Sequence, residues 1–181
     1  MTSPMNGNSP LGLLPGFEHI TGQVTKLEGC DLDHLLTHYL APELTYGEIR
    51  EGEAPQVIRE LKRFFALFLA FPGEKLAPSW RVDVAWHAFI LHTQPYRAFC
   101  DAIFGTYLNH HRDPPGMAFD IERYERTMGR YREAFGEPPP LIWEVSSREG
   151  KPIIRTSKLS VVAISMMVGL VGLMALARRA R

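Results

Sequence analysis

The sequence of 181 residues is long enough for one folded domain with its own hydrophobic core. Its composition, 45% hydrophobic and 22% charged, is that of a globular protein and excludes a disordered or collagen-like chain. Residues 1–147 carry 13 basic and 19 acidic side chains, whereas residues 148–181 carry 7 basic and 1 acidic side chain. The acidic main body argues against nucleic-acid binding, which requires clustered lysines and arginines.

The N-terminal residues 1–29 are rich in Gly, Pro, Ser, Thr and Asn, and this composition predicts a mostly irregular arm. A helical domain is expected to follow over residues 30–145. Asp31 is a suitable N-cap for a short first helix that reaches Leu40, because its carboxylate can accept a hydrogen bond from the first turn.

The strongest helical pattern runs over residues 55–71. Its apolar side chains recur at steps of three and four residues and predict one broad buried face: Val57, Ile58, Leu61, Phe64, Phe65, Phe68 and Leu69. The opposite side is expected to face water, since it carries the charged residues Arg59, Glu60, Lys62 and Arg63. Pro72 and Gly73 end the helix.

Three further segments complete the predicted domain. A helix capped by Ser79 is followed by one that opens at Thr93 and closes at Gly105, and a fourth ends at Gly136. Residues 141–145 are interpreted as a short extended piece, although no segment alternates with period two over any length. The sequence therefore predicts an all-α fold, a small orthogonal bundle of about four to five helices.

A long apolar run, LSVVAISMMVGLVGLMALA, occupies residues 159–177 without a single charge. As a helix it is roughly 28 Å long, close to the thickness of the hydrocarbon core of a bilayer. A basic linker (146–158) and a basic tail (178–181) flank it, which suits anionic headgroups. A buried core helix is the alternative, but a domain this small cannot easily cover an apolar surface on all sides.

We therefore expect a single-pass membrane protein whose span, residues 159–177, has the lipid bilayer as its partner. The first residues contain no signal-peptide pattern, so the N-terminal domain is expected to face the cytoplasm. Cys30 and Cys100 are too few for a disulfide framework and are interpreted as reduced thiols, which fits that compartment.

The candidate catalytic residues are Asp83, His87 and Cys100. Asp83 and His87 are four residues apart and share one helical face. A carboxylate beside an imidazole fixes the tautomer of the ring and raises its basicity, and both a general base and a metal ligand require this. A hydrogen-bonded structural pair is the alternative. His110 or His111 is a candidate to complete a metal site with His87 and with Cys100 or Asp83, although the spacing matches no standard zinc pattern. Cys100, with His87 as its base, is alternatively a candidate nucleophile. Aromatic neighbours indicate that the Cys100 thiol is buried and inert.

The stretch VDVAWHAFILHTQPYRAFCDAIFGTYLNHH resembles the signature of the glycine-rich domain-containing protein-like family, and especially its short bacterial members. This resemblance implies an all-helical domain and a bacterial inner membrane, but no activity. The characteristic positions would be Asp83, Trp86, His87, Tyr96, Cys100, Gly105 and His110. Many plant-type members carry a second histidine where Phe89 stands here, so a two-histidine ligand pair on this helix is missing.

Two functional hypotheses remain. The leading one is a membrane-anchored helical module, whose acidic surface binds a protein partner at the cytoplasmic face. The alternative is a metal- or acid/base-dependent enzyme centred on Asp83, His87 and His110. No organic cofactor is expected, because the glycines match no phosphate-binding fingerprint, and a divalent metal is the one cofactor left open. Convergence of Asp83, His87, Cys100 and His110 within about 5 Å around an open pocket would favour the enzyme, whereas scattering or packing beneath aromatic side chains would argue against it.

Overall fold

The fold is built from α-helices, as the sequence predicts. The structure, a computed structural model, describes residues 9–41, 44–45, 49–110 and 120–144. Within these ranges it contains seven α-helices, more than the four to five expected from the sequence, together with three short 3-10 helices and no strand. The α-helices are α1 (Thr21–Glu28), α2 (Leu32–Leu36), α3 (Ala54–Ala70), α4 (Trp80–Leu91), α5 (Thr93–Phe104), α6 (Ile121–Phe135) and α7 (Pro140–Trp143). The 3-10 helices are Pro10–Gly12, Glu18–Ile20 and Thr37–Leu40.

Helix α3 is the centre of the domain. It packs against α1, α2, α4 and α6, so side chains on almost every side of it are buried. Its largest apolar residues, including Leu61, Phe64 and Phe65, are completely inaccessible to solvent. The core is therefore a shell of shorter helices around one long helix.

Two charged residues of α3 are buried, contrary to the expectation that its polar side faces water. Glu60 and Lys62 are 2% and 7% exposed. The Lys62 ammonium donates a hydrogen bond to the carbonyl oxygen of Glu28 at the end of α1 (3.0 Å). The prediction failed because the pattern of a single helix shows its strongest apolar face and not the neighbours that cover the other face.

The helix ends follow the capping residues read from the sequence. Asp31 and Ser79 each accept a hydrogen bond from a backbone N–H in the first turn of α2 and α4. Gly105 ends α5 in the left-handed region (φ 68°), and Gly136 ends α6 with φ 79°. Both glycines adopt a positive φ that a side chain would strain.

The N-terminal arm contains more regular structure than its composition indicates. Within residues 9–29, α1 and two 3-10 helices are formed, and Val24 and Leu27 of α1 are fully buried. Local propensity does not favour a helix that starts Thr-Gly, but burial of its apolar face outweighs this cost.

Helix α7 replaces the short extended piece expected over residues 141–145. Pro140 occupies its first turn, and the adjacent residues Ile142 and Trp143 are both buried. Neighbouring side chains point to opposite faces of a strand, whereas a helical turn lets both reach the core.

All described residues belong to one compact unit, Met1–Val145. No helix among them has both the length and the apolar character needed to cross a bilayer. The basic linker (146–158), the proposed span (159–177) and the basic tail (178–181) lie outside the described residues. The membrane span therefore stays a prediction from the sequence.

Candidate functional site

Helix α4 places Asp83 and His87 one turn apart on the same face. The His87 Nδ1 atom lies 3.3 Å from the Asp83 carboxylate (Oδ2) and 2.8 Å from the Asp83 backbone carbonyl oxygen. Both oxygens are acceptors, so the proton on this ring nitrogen points toward Asp83. The structure thus forms the carboxylate–imidazole pair that the four-residue spacing predicts.

His110 approaches the same carboxylate from the segment that follows α5. Its Nε2 atom lies 2.8 Å from Asp83 Oδ1, so Asp83 contacts one histidine through each of its two oxygens. One ring nitrogen of His87, one of His110 and one carboxylate oxygen of Asp83 all lie within 4.8 Å of one another. We call these three residues the His–Asp–His cluster.

An aromatic side chain forms the wall of this cluster. The His110 ring meets Trp86 edge to face, with ring centroids 4.4 Å apart, and its centroid is 4.3 Å from that of His87. The His110 side chain is only 12% exposed, whereas that of His87 is 42% exposed. The cluster is therefore held against the core on one side and reached by solvent on the other.

The carboxylate of Asp83 stays ionised in this setting. Burial alone would raise its pKa, but hydrogen bonds from His110 and His87, together with the charges of the two imidazoles, outweigh burial and lower the pKa to about 2. The ionised carboxylate of Asp83 therefore lies between two imidazole rings. Such a group can orient an imidazole for proton transfer or take part in binding a cation.

The remaining predicted site residues lie elsewhere. Cys100 is completely buried in α5, next to the Tyr96 hydroxyl, and does not belong to the cluster. His111 lies outside the described residues. The Cys100 thiol is enclosed in the core, so a substrate cannot reach it as it would a catalytic nucleophile.

The Tyr96 hydroxyl is a contact that sequence reasoning missed. It accepts a hydrogen bond from the Trp86 indole (3.0 Å) and donates one to the carbonyl oxygen of Leu108 (2.6 Å). A buried tyrosine needs a partner for its hydroxyl, so the need for such a bond could be read from the sequence. Its partners could not, because they depend on how α4 and α5 pack.

Comparison with known proteins identifies the family. Residues 27–127, more than half of the chain, match the family described as UCP032817-like. The chain therefore belongs to the UCP032817-like family, which has no assigned function. The proposed resemblance to glycine-rich domain-containing proteins was wrong, since the family that matches is a different one. No curated protein and no solved structure matches the chain.

Proposed function

We propose that this domain binds one divalent transition metal ion at Asp83, His87 and His110. The observation that carries the proposal is the convergence of two imidazoles and one carboxylate within 4.8 Å, with nitrogen–oxygen distances of 2.8 and 3.3 Å. Ligands that lie about 2.1 Å from a shared metal ion are separated by roughly 3 Å from one another. Small side-chain movements would therefore bring these atoms onto one ion.

The donor set favours zinc or iron over magnesium or calcium. Imidazole nitrogens suit first-row transition metals, whereas magnesium and calcium prefer sites made of oxygen ligands. In the metal-free cluster, protons on the imidazoles occupy the contacts to Asp83. A metal ion would take those contacts, and the proton of a neutral imidazole would then move to the other nitrogen of its ring.

Three ligands converge among the residues that the structure describes, and this number favours a reactive site over a purely structural one. Structural zinc sites have four protein ligands, whereas catalytic sites keep three and leave a position for water or a substrate oxygen. Two histidines and one carboxylate also form the donor set of many iron enzymes. Because the His87 side chain is 42% exposed, solvent can reach the position that such an ion would leave open.

Titration of the metal-free, full-length protein with Zn²⁺ tests this function. We expect one equivalent of Zn²⁺ to bind. His110→Ala should weaken binding by more than about 100-fold, because losing a residue that contacts the metal costs more affinity than losing a residue that only orients such a ligand. His34→Ala is the control, since His34 is an exposed histidine of α2 outside the cluster. Equal affinity of the two variants, or no stoichiometric binding by the wild type, would reject the metal site.

We propose further that residues 159–177 tether this domain to the cytoplasmic side of a membrane. What supports the tether is the uncharged run of the sequence and its basic flanks. We expect the full-length chain to stay with membranes during alkaline carbonate extraction, and a chain that ends at residue 158 to be released. Extraction of both chains would contradict the tether.

A protein partner for the acidic domain stays a prediction from the composition.

A further inference from the structure

Tyr96 lies where three parts of the domain meet. Its ring is completely buried between α4 and the segment that follows α5. The hydroxyl accepts the Trp86 indole N–H and donates to the carbonyl oxygen of Leu108. One hydroxyl group thus joins the α4 helix to the chain two residues before His110.

Two partners of this hydroxyl, Trp86 and Leu108, are linked to the position of His110. Trp86 forms the wall against which the His110 ring rests (4.4 Å between centroids). Leu108 belongs to the same short segment as His110, so fixing its carbonyl oxygen fixes the direction in which that segment leaves α5. Tyr96 itself does not belong to the His–Asp–His cluster.

We propose that the Tyr96 hydroxyl is a positioning group, which holds the His110 imidazole against Asp83 and so determines the metal affinity of the cluster. The metal part of this inference rests on the function proposed above. Outer groups that orient a metal-binding histidine typically change affinity by 10–100-fold.

The chemistry of the hydroxyl suits this role over a wide pH range. Burial raises the pKa of Tyr96 well above that of a free tyrosine. The phenol therefore keeps its proton at neutral pH and can donate it to the carbonyl oxygen of Leu108. A phenylalanine would keep the ring in place and remove both hydrogen bonds.

Tyr124 offers a matched control. Its hydroxyl also donates to a backbone carbonyl, that of Trp143, and its side chain is also buried. It lies in α6, outside the His–Asp–His cluster. Tyr124→Phe and Tyr96→Phe therefore remove the same chemical group from similar surroundings. Only Tyr96→Phe removes a hydrogen bond to the segment that carries His110.

The test combines zinc affinity with the NMR signals of the His110 ring in full-length protein. We expect Tyr96→Phe to weaken Zn²⁺ binding by about 10–100-fold while Tyr124→Phe binds as the wild type does. In the metal-free wild type, Nε2 should carry a proton, because its Asp83 partner can only accept. Tyr96→Phe should shift these signals toward the mixed tautomers of a free histidine.

The two readouts separate the two proposals. If the wild type binds no zinc, the metal function fails, while a shift of the His110 signals confined to Tyr96→Phe still supports the positioning role. Unchanged His110 signals in a folded Tyr96→Phe protein would overturn the positioning role, whatever the wild type binds. An equal shift in Tyr124→Phe would overturn it as well, since the effect would then be one of general stability.

Discussion

Replacement of Glu60 by alanine is expected to lower the free energy of unfolding by about 3–5 kcal/mol, the range for removing one partner of a buried ion pair. Glu60 is 2% exposed and accepts hydrogen bonds from the Tyr131 hydroxyl (2.6 Å), the Trp143 indole (2.8 Å) and the Arg63 guanidinium (3.1 Å). Alanine would leave all three donors without this acceptor. It would also leave the Arg63 charge without its buried counterion.

The cost should be large because this network joins four parts of the fold. Arg63 also donates to the carbonyl oxygen of Leu11 (2.8 Å) and to the Tyr131 hydroxyl (2.8 Å). The N-terminal segment, α3, α6 and α7 thus meet at one buried carboxylate. Removing one hydrogen bond of this network weakens the others, since a buried network whose polar groups are only partly paired lowers the stability of the fold.

Urea denaturation of Glu60→Ala and of a surface control measures the effect. Glu133→Ala removes a glutamate that also pairs with an arginine, Arg130 (2.9 Å), but whose side chain is 51% exposed. Exposed pairs contribute about 1 kcal/mol or less, so this control should differ little from the wild type. A similarly small loss in Glu60→Ala would show that the buried network does not stabilise the fold as argued.

The same residue shows the limit of what the sequence predicts. The all-α class, the caps at Asp31 and Ser79, and the helix ends at Gly105 and Gly136 follow from local rules that need only a few neighbouring residues. The burial of Glu60 does not, because two of its three partners, Tyr131 and Trp143, lie 71 and 83 residues further along the chain. Long-range contacts override the local pattern there.

The candidate site likewise has one part that the sequence predicts and one part that it does not. The proximity of Asp83 and His87 follows from helical geometry, since residues four apart are neighbours on one face. His110 is 27 residues from Asp83, in a segment without regular structure, and no periodicity places it. The sequence could name His110 as a candidate from its chemistry, but only the packing of α4 against α5 brings it to the carboxylate.

Trp86 couples the stability of the core to the geometry of the site. Its side chain is 4% exposed and packs against a set of aromatic rings contributed mainly by α3: Phe64, Phe65 and Phe68, together with His110. Its indole N–H also donates to the Tyr96 hydroxyl. The same side chain therefore fills the interior, supports one member of the His–Asp–His cluster and pairs with the group that positions it.

Trp86→Ala should accordingly destabilise the domain by about 3–5 kcal/mol, the usual cost of removing a large buried aromatic side chain. Leu91→Ala in the same helix is the control, because Leu91 is 79% exposed and a surface change of this kind typically costs within about 0.5 kcal/mol. Thermal and urea unfolding measure both variants. A Trp86→Ala melting curve that overlies that of Leu91→Ala would contradict the packing described for α4, since a cavity of this size cannot form beneath three phenylalanines without loss of stability.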